Sequence, residues 1–311
     1  MHVLIMKLKR ITNSLKEAFT GWNDRDAFSA SAVIAYYTIF SLPGLLVIIV
    51  NVAGYFWGKE AVTNEVMNQV QGMIGQDTAR QLQDIIARAS VTKGTIVSSI
   101  LGIATILFGA TGVFYHVQQI FNKIWEVKPK PKQKFLKLLR DRLFSFGLIL
   151  VIGFLLLVSL VVSAAINAMS TWVTRHMSES LLFVFNIADF IFSIGIITIL
   201  FAAMYKFLPD VKIKWKDVWA GALLTTILFV IAKYALGLYF GKSKPGSTYG
   251  AAGSIILIML WVSYAALVLL YGAEFVRVYA RHSGKTIPPK ETAEKDKTAS
   301  TTGFGSKQKE K

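Results

Sequence analysis

Asp189, Lys233 and Glu274 are ionisable residues set in long uncharged stretches, and they are where this sequence offers chemistry. A charge in a segment fit for hydrocarbon needs a counter-charge, a water-lined path or a shift to its neutral form. At the helical rise of about 1.5 Å per residue, Asp189 lies roughly 12 Å and Lys233 roughly 10 Å from the same end of their segments. The matching depths predict that the two face each other, with Asn186 or Asn167 beside them. Such a pair either fixes the register of neighbouring helices or handles a solute or proton. Glu274 precedes Arg277 by one helical turn near the end of the last apolar stretch, where an interfacial ion pair is the default. Turned into a bundle, Glu274 would instead be a proton or cation ligand at the inner mouth.

A second constellation is polar and aromatic. Ser41-Leu42-Pro43-Gly44 falls near the middle of the first apolar stretch, and a proline there removes a backbone donor, so a kinked or interrupted helix is expected. Interrupted helices expose backbone groups at membrane depth only where protein or a cavity covers them. Tyr36 and Tyr37 lie one to two turns earlier; Gly102, Gly109 and Gly112 with Thr105 and Thr111 permit close approach of the second stretch; Trp261, Ser263 and Tyr264 reach similar depth on the last. Together they outline a site for a small solute or amphiphile, although helix packing alone also places tyrosines and small residues in a bundle. Gly246 and Gly250 share the GxxxG spacing but stand at the edge of a span, where a turn or close packing explains them.

Several chemistries lack their residues. There is no cysteine, hence no disulfide, thiolate metal site or cysteine nucleophile. His2, His116, His176 and His282 are isolated from one another, and no metal or other cofactor is expected. Neither a phosphate-binding loop nor a nucleophile elbow is present, so an ATP-driven pump or serine hydrolase is not expected, and the chain is read as a non-enzyme.

The elements that must position these residues are membrane spans. The chain has 311 residues, 54% hydrophobic, and a formal charge of +16, yet the charges collect in blocks between neutral stretches. Crossing a hydrocarbon core about 30 Å thick takes roughly 20 apolar residues in a helix. Six stretches qualify, at about Ala27–Trp57, Thr95–Tyr115, Leu143–Trp172, Leu181–Phe207, Val218–Phe240 and Tyr249–Val276. The fold class is therefore an all-α, polytopic helix bundle. Of the 34 Lys and Arg residues, 26 fall in the N-terminal block, the loops after the second and fourth spans and the C-terminal segment; 7 fall in the other loops, and Lys233 lies within a span. Basic loops stay on the side of synthesis, which predicts both ends cytoplasmic. Met1 to Arg10 has too short an apolar run for a secretory signal, so the N-terminus is expected to be retained.

The resulting organisation is a cytoplasmic segment at 1–26, a six-span domain at 27–280 and a disordered cytoplasmic tail at 281–311. Between 58 and 94, apolar residues at helical spacing predict an external amphipathic hairpin, either a lid or membrane-surface element or a packed cover for the bundle. The basic loop at 122–142 offers Lys130, Lys132, Lys134, Lys137 and Arg140 to anionic lipid headgroups, although topology determination alone accounts for such charge.

These segments resemble the YihY / virulence factor BrkB family of bacterial inner-membrane proteins. The resemblance is carried by Ala35-Tyr36-Tyr37-Thr38-Ile39-Phe40-Ser41-Leu42-Pro43, by Phe108-Gly109-Ala110-Thr111-Gly112-Val113-Phe114 running to Asn122-Lys123-Ile124-Trp125, and by Tyr249-Gly250-Ala251-Ala252-Gly253-Ser254 through Leu260-Trp261-Val262 to Gly272-Ala273-Glu274-Phe275. It implies a six-helix protein of the inner membrane, with transport suspected and no defined activity. The family has also carried the label ribonuclease BN. A metal-dependent nuclease needs clustered ligands that the four dispersed histidines do not supply, and membrane orientation already explains the basic loops, so no nucleic-acid partner is expected. The expected function is transport or permeation of a small solute, ion or amphiphile without ATP hydrolysis; the alternative is a non-catalytic scaffold or envelope-integrity protein that binds lipids or partners. The sequence leaves oligomeric state open.

Overall fold

The computed structural model describes residues 2–74, 76–90, 111–130, 147, 179–243, 253–282 and 287–296. Helix α1, His2–Asp24, and α2, Ala27–Trp57, are separated by one tight turn. Asp26 makes that turn with φ 51, and its carboxylate accepts from the Ser29 backbone N–H at 3.3 Å, capping α2 and holding the Asp26 carboxyl below its ordinary value. Gly58, φ 88, ends α2, a left-handed position that suits a residue without a Cβ. Two shorter helices follow, α3 at Lys59–Ile74 and α4 at Gln76–Ser90. Residues 111–124 form helix α5. The remaining long helices are α6, Glu179–Phe207, α7, Trp215–Ser243, and α8, Gly253–Arg281.

Four of these helices are long and apolar enough to cross a membrane, with candidate spans Ala27–Phe56, Phe190–Phe207, Trp215–Phe240 and Gly253–Arg281. They match the first, fourth, fifth and sixth predicted stretches. Most of the second and nearly all of the third lie outside the described residues. What is described of the second runs past the expected end at Tyr115 to residue 124, because Val117, Phe121 and Ile124 continue the buried apolar face.

Two apolar clusters organise the helices. One, at the lysine-rich end, joins Phe121 of α5, Tyr205 of α6, Val218 and Ala222 of α7, and Leu270, Ala273 and Val276 of α8. The other, at the opposite end, joins Leu46, Val50 and Ala53 of α2 to Val62 and Met67 of α3, Ala79 and Leu82 of α4, and Ile258 of α8. Among the described side chains of α3 and α4, Val62, Met67, Ala79 and Leu82 thus pack into one cluster with α2 and α8.

Two expectations change. Of the kinked or interrupted helix expected at Pro43, the interruption is absent: α2 is continuous from Ala27 to Trp57. The Ser41 hydroxyl donates to the Tyr37 carbonyl and the Thr38 hydroxyl to the Ile34 carbonyl, both at 2.8 Å, so these two side chains are bonded within their own helix. Residues 287–296, composed like a disordered tail, are ordered. They form strand β2, Ala293–Lys295, antiparallel to strand β1, Val127–Pro129, and a bridge between Pro289 and Val211. Short as it is, this strap finds backbone partners in both loops: Lys212 N–H donates to the Pro288 carbonyl, Lys290 N–H to Asp210 and Asp296 N–H to Glu126.

Helix α1 lies along the last turns of α8. The Trp22 indole donates to the Leu267 carbonyl at 3.0 Å and the Tyr271 hydroxyl to the Leu15 carbonyl at 3.2 Å. Arg10 donates to the Tyr279 carbonyl and stacks 4.6 Å from that ring. His282 closes the contact, with Nδ1 3.0 Å from Ser14 Oγ and Nε2 3.0 Å from Glu17, which Arg281 also engages.

Candidate functional site

The most heavily charged buried group is Glu274. It is 1% exposed, and both carboxylate oxygens are held: Oε1 by Arg25 Nη1 and Oε2 by Arg277 Nε, each at 2.9 Å. Glu126, in the turn after α5 with φ 54, bridges the same two arginines at 2.9 and 3.9 Å. Two cations and two anions from three distant segments thus neutralise one another where α1 meets α8. The predicted Arg277 partner is present. Arg25 and Glu126 were missed, since nothing in the sequence joins them to position 274. Both Glu274 oxygens thus lie in the ion pair expected as the default, with Arg25 as a further partner. Gly21 makes room for it, because a Cβ there would stand 3.0 Å from Glu274 Oε2 and 3.2 Å from the Arg25 guanidinium.

A second buried carboxylate, Asp210, also escaped the sequence. It sits in the loop between α6 and α7, 2% exposed, and exchanges two 2.8 Å hydrogen bonds with Asn122: the amide donates to Oδ2, and the Asp210 N–H donates to the amide oxygen. Gln118 donates to Oδ1 at 3.5 Å. Thr111, Tyr115, Gln118 and Asn122 follow one another at helical spacing along one face of α5, a polar stripe that ends on this carboxylate. That spacing was the readable signal.

A third polar point ties α6, α7 and α8 together. Tyr205 donates to the Leu269 carbonyl at 2.9 Å and lies 2.7 Å from the Thr225 hydroxyl, which donates to Gly221. Thr198, about two turns before Tyr205 on α6, meets Thr226 at 3.0 Å. A Cβ on Gly272 would collide with the Thr225 and Tyr205 hydroxyl oxygens, and one on Gly221 with the Val276 side chain.

The Thr198–Thr226 contact sets the antiparallel register of α6 and α7, and it places positions 189 and 233 within about one turn of the same level. Depth therefore agrees with expectation. Lys233 is about two turns beyond Thr226, on nearly the same side of α7. The Asp189 side chain lies outside those described, as do Asn186 and Asn167. Lys233 is half-buried, and no acidic partner meets it among the described residues.

The polar-aromatic constellation is partly assembled. Tyr37 stacks on His116 of α5 with centroids 3.4 Å apart, a contact not foreseen for a histidine read as isolated. Trp261 packs against the cluster that contains Leu46 and Val50 of α2, and edge-on to Phe229 of α7 at 6.0 Å. Tyr36 and Tyr264 are exposed instead. Pro43 is half-buried in the intact helix. Of the basic-loop candidates, Lys130 is exposed and its N–H donates to the Thr292 carbonyl, while Lys132, Lys134, Lys137 and Arg140 lie outside the described residues. Among the described residues no group of three His, Cys, Asp or Glu side chains converges in a way that would hold a metal.

Comparison with known proteins gives one consistent result. A family model described as Virulence factor BrkB matches residues 18–297. A UPF0761 membrane protein of Stenotrophomonas maltophilia is 23% identical over 253 residues, 80% of this chain and 57% of its own length. One from Teredinibacter turnerae is 26% identical over 291 residues, 90% of this chain and 64% of its own, and one from Xanthomonas campestris pv. campestris is 26% identical over 261 residues. The chain thus spans roughly half to just under two thirds of the length of these curated relatives. No solved structure matches.

Proposed function

Because this chain belongs to the virulence factor BrkB family, whose matching relatives are named as membrane proteins, we propose that it is a permeation protein that moves a small solute, ion or amphiphile across the bacterial inner membrane. The observation that carries this is Lys233. An ammonium roughly 10 Å inside a span and half-buried is costly to keep there, and such cations mark substrate or ion paths. Its charge favours an anionic solute or the anionic group of an amphiphile. Tyr37 and His116 at the α2–α5 contact, and Trp261 of α8 packed on the cluster it shares with α2, are the polar-aromatic side chains beside that path. No ATP hydrolysis or other catalysis by this chain enters the proposal. Both termini face the cytoplasm, in keeping with the lysine distribution.

The test is release from proteoliposomes loaded with a bacterial small-molecule extract and followed by mass spectrometry. At least one solute should leave faster than from protein-free vesicles; Lys233→Gln should abolish the excess, and Lys233→Arg should keep part of it. Equal release with and without protein, or full activity in Lys233→Gln, sinks the proposal. A scaffold that organises lipids or partners is the second reading, favoured by the exposed lysines and tryptophans around the α6–α7 loop.

A further inference from the structure

At the lysine-rich end of α7, two exposed features that are common singly are joined. The first is a charge excess. Lys212, Lys214 and Lys216 are exposed around the start of the helix, and among the described residues Lys214 and Lys216 meet no carboxylate. The two aspartates of this segment, Asp210 and Asp217, are buried, and Asp210 is engaged by Asn122. Lys212 approaches only Glu291, at 3.7 Å, with both side chains mostly in solvent. The second feature is an aromatic step below the lysines. Phe207, Trp215 and Trp219 are each about half exposed, their rings run in series at 5.9 and 6.3 Å, and Lys206 sits 5.7 Å over the Trp215 ring.

From Trp219 the exposure continues. Leu223, Ile227, Ile231, Tyr234 and Leu238 are exposed, and at about 100° per residue they share one side of α7. An uninterrupted apolar face thus runs down the span from an aromatic collar topped by unneutralised lysines. This sequence of chemistries matches one amphiphile laid parallel to the helix: acyl chains on the aliphatic face, the glycerol region at the tryptophans, a phosphate at Lys214 and Lys216.

We infer that the lysine-bearing end of α7 is a binding site for an acidic phospholipid, formed by Lys214 and Lys216 at the headgroup, Trp215 and Trp219 at the interface, and Leu223 and Ile227 along the chain. Charge complementarity selects the acidic headgroup: a zwitterionic lipid brings its own cation to the same lysines. The site is independent of transport through Lys233, which lies on a different side of α7 and deeper in the span.

Full-length protein is reconstituted in nanodiscs of phosphatidylcholine with a minor fraction of phosphatidylglycerol, and the lipid co-purifying after detergent exchange is quantified. Phosphatidylglycerol should be enriched over its bulk fraction. Lys214→Glu/Lys216→Glu should reduce the enrichment about tenfold or more, and Lys214→Gln/Lys216→Gln by a smaller factor in the same direction. The charge-matched control Lys16→Glu/Lys59→Glu should leave it within about twofold. Glycerol phosphate, which carries the anion without the chains, should not compete at millimolar excess. On the wild-type protein, phosphatidylglycerol with a photoreactive acyl chain should label the peptide that contains Leu223 and Ile227. Unchanged enrichment in both lysine variants, an equal loss in the control, competition by glycerol phosphate, or labelling that bypasses α7 would each overturn the assignment.

Discussion

Glu274 has two guanidinium partners and almost no water, so substitution by the isosteric amide leaves two arginines facing one remaining carboxylate, Glu126. Breaking a buried pair from one side costs about 3 kcal/mol or more, since the surviving charge keeps its desolvation penalty. Glu274→Gln should therefore lower the thermal midpoint of the detergent-solubilised protein by several degrees, and an unchanged midpoint would return Glu274 to the list of path residues. Gly272 makes the complementary case in packing. With hydroxyl oxygens of Thr225 and Tyr205 already in the space a methyl would need, Gly272→Ala should force α7 and α8 apart and cost about 1–3 kcal/mol or more, seen as poorer yield and a lower midpoint. Of this residue-scale chemistry the sequence disclosed the members that are close along a helix. Glu274 and Arg277 are one turn apart and were legible. Arg25, Glu126 and the Asn122–Asp210 exchange depend on chain reversals whose geometry no local periodicity encodes.

At the scale of elements, α1 docks on α8 through a contact that titrates. Burial first, and then the positive charges of Arg281 and Arg10, hold the pKa of His282 below its ordinary value; Glu17, the facing carboxylate, is shared with Arg281 and does not reverse this. The neutral ring is thus the form the docked helix favours, while the detached chain takes up the proton more readily. The stabilising contribution is complete above the ordinary histidine value of about 6.5 and is lost as pH falls through the lower folded value. Hydrogen exchange in α1 should accelerate relative to α8 between about pH 7.5 and about pH 5, and His282→Gln should flatten that dependence. Elements were the scale at which the sequence spoke best, because apolar length alone identifies a span. At Pro43 the interruption did not follow from the missing donor, because one lost hydrogen bond leaves the rest of a 31-residue helix in place. The error at 287–296 came from reading composition as disorder, when a few backbone hydrogen bonds to preformed loops suffice to order a polar strap.

For the whole molecule, those same bonds constrain topology independently of any charge count. Residues 122–130, 208–214 and 287–296 are joined by the β1–β2 pair, the Asn122–Asp210 exchange and the Lys290–Asp210 and Lys212–Pro288 hydrogen bonds, and α1 is tied to the last turns of α8. All four segments must then share one membrane face, since no backbone hydrogen bond reaches across a bilayer about 30 Å thick. Helices α3 and α4 pack at the far end, on the second half of α2 and the first turns of α8. Between the loop at 208–214 and the strap at 287–296 lie two candidate spans, α7 and α8, an even number as a shared face requires. The absence of cysteine lets this be tested without a background to remove. Single cysteines at the exposed positions Asn13, Lys130, Lys214 and Glu291 should react with a membrane-impermeant maleimide as one group, protected in intact cells and labelled after permeabilisation; Asn64→Cys and Gln81→Cys should react in intact cells. Should Lys130→Cys and Lys214→Cys label from opposite faces, the loop–strap–loop connection cannot exist in the membrane, and the charge-based orientation falls with it.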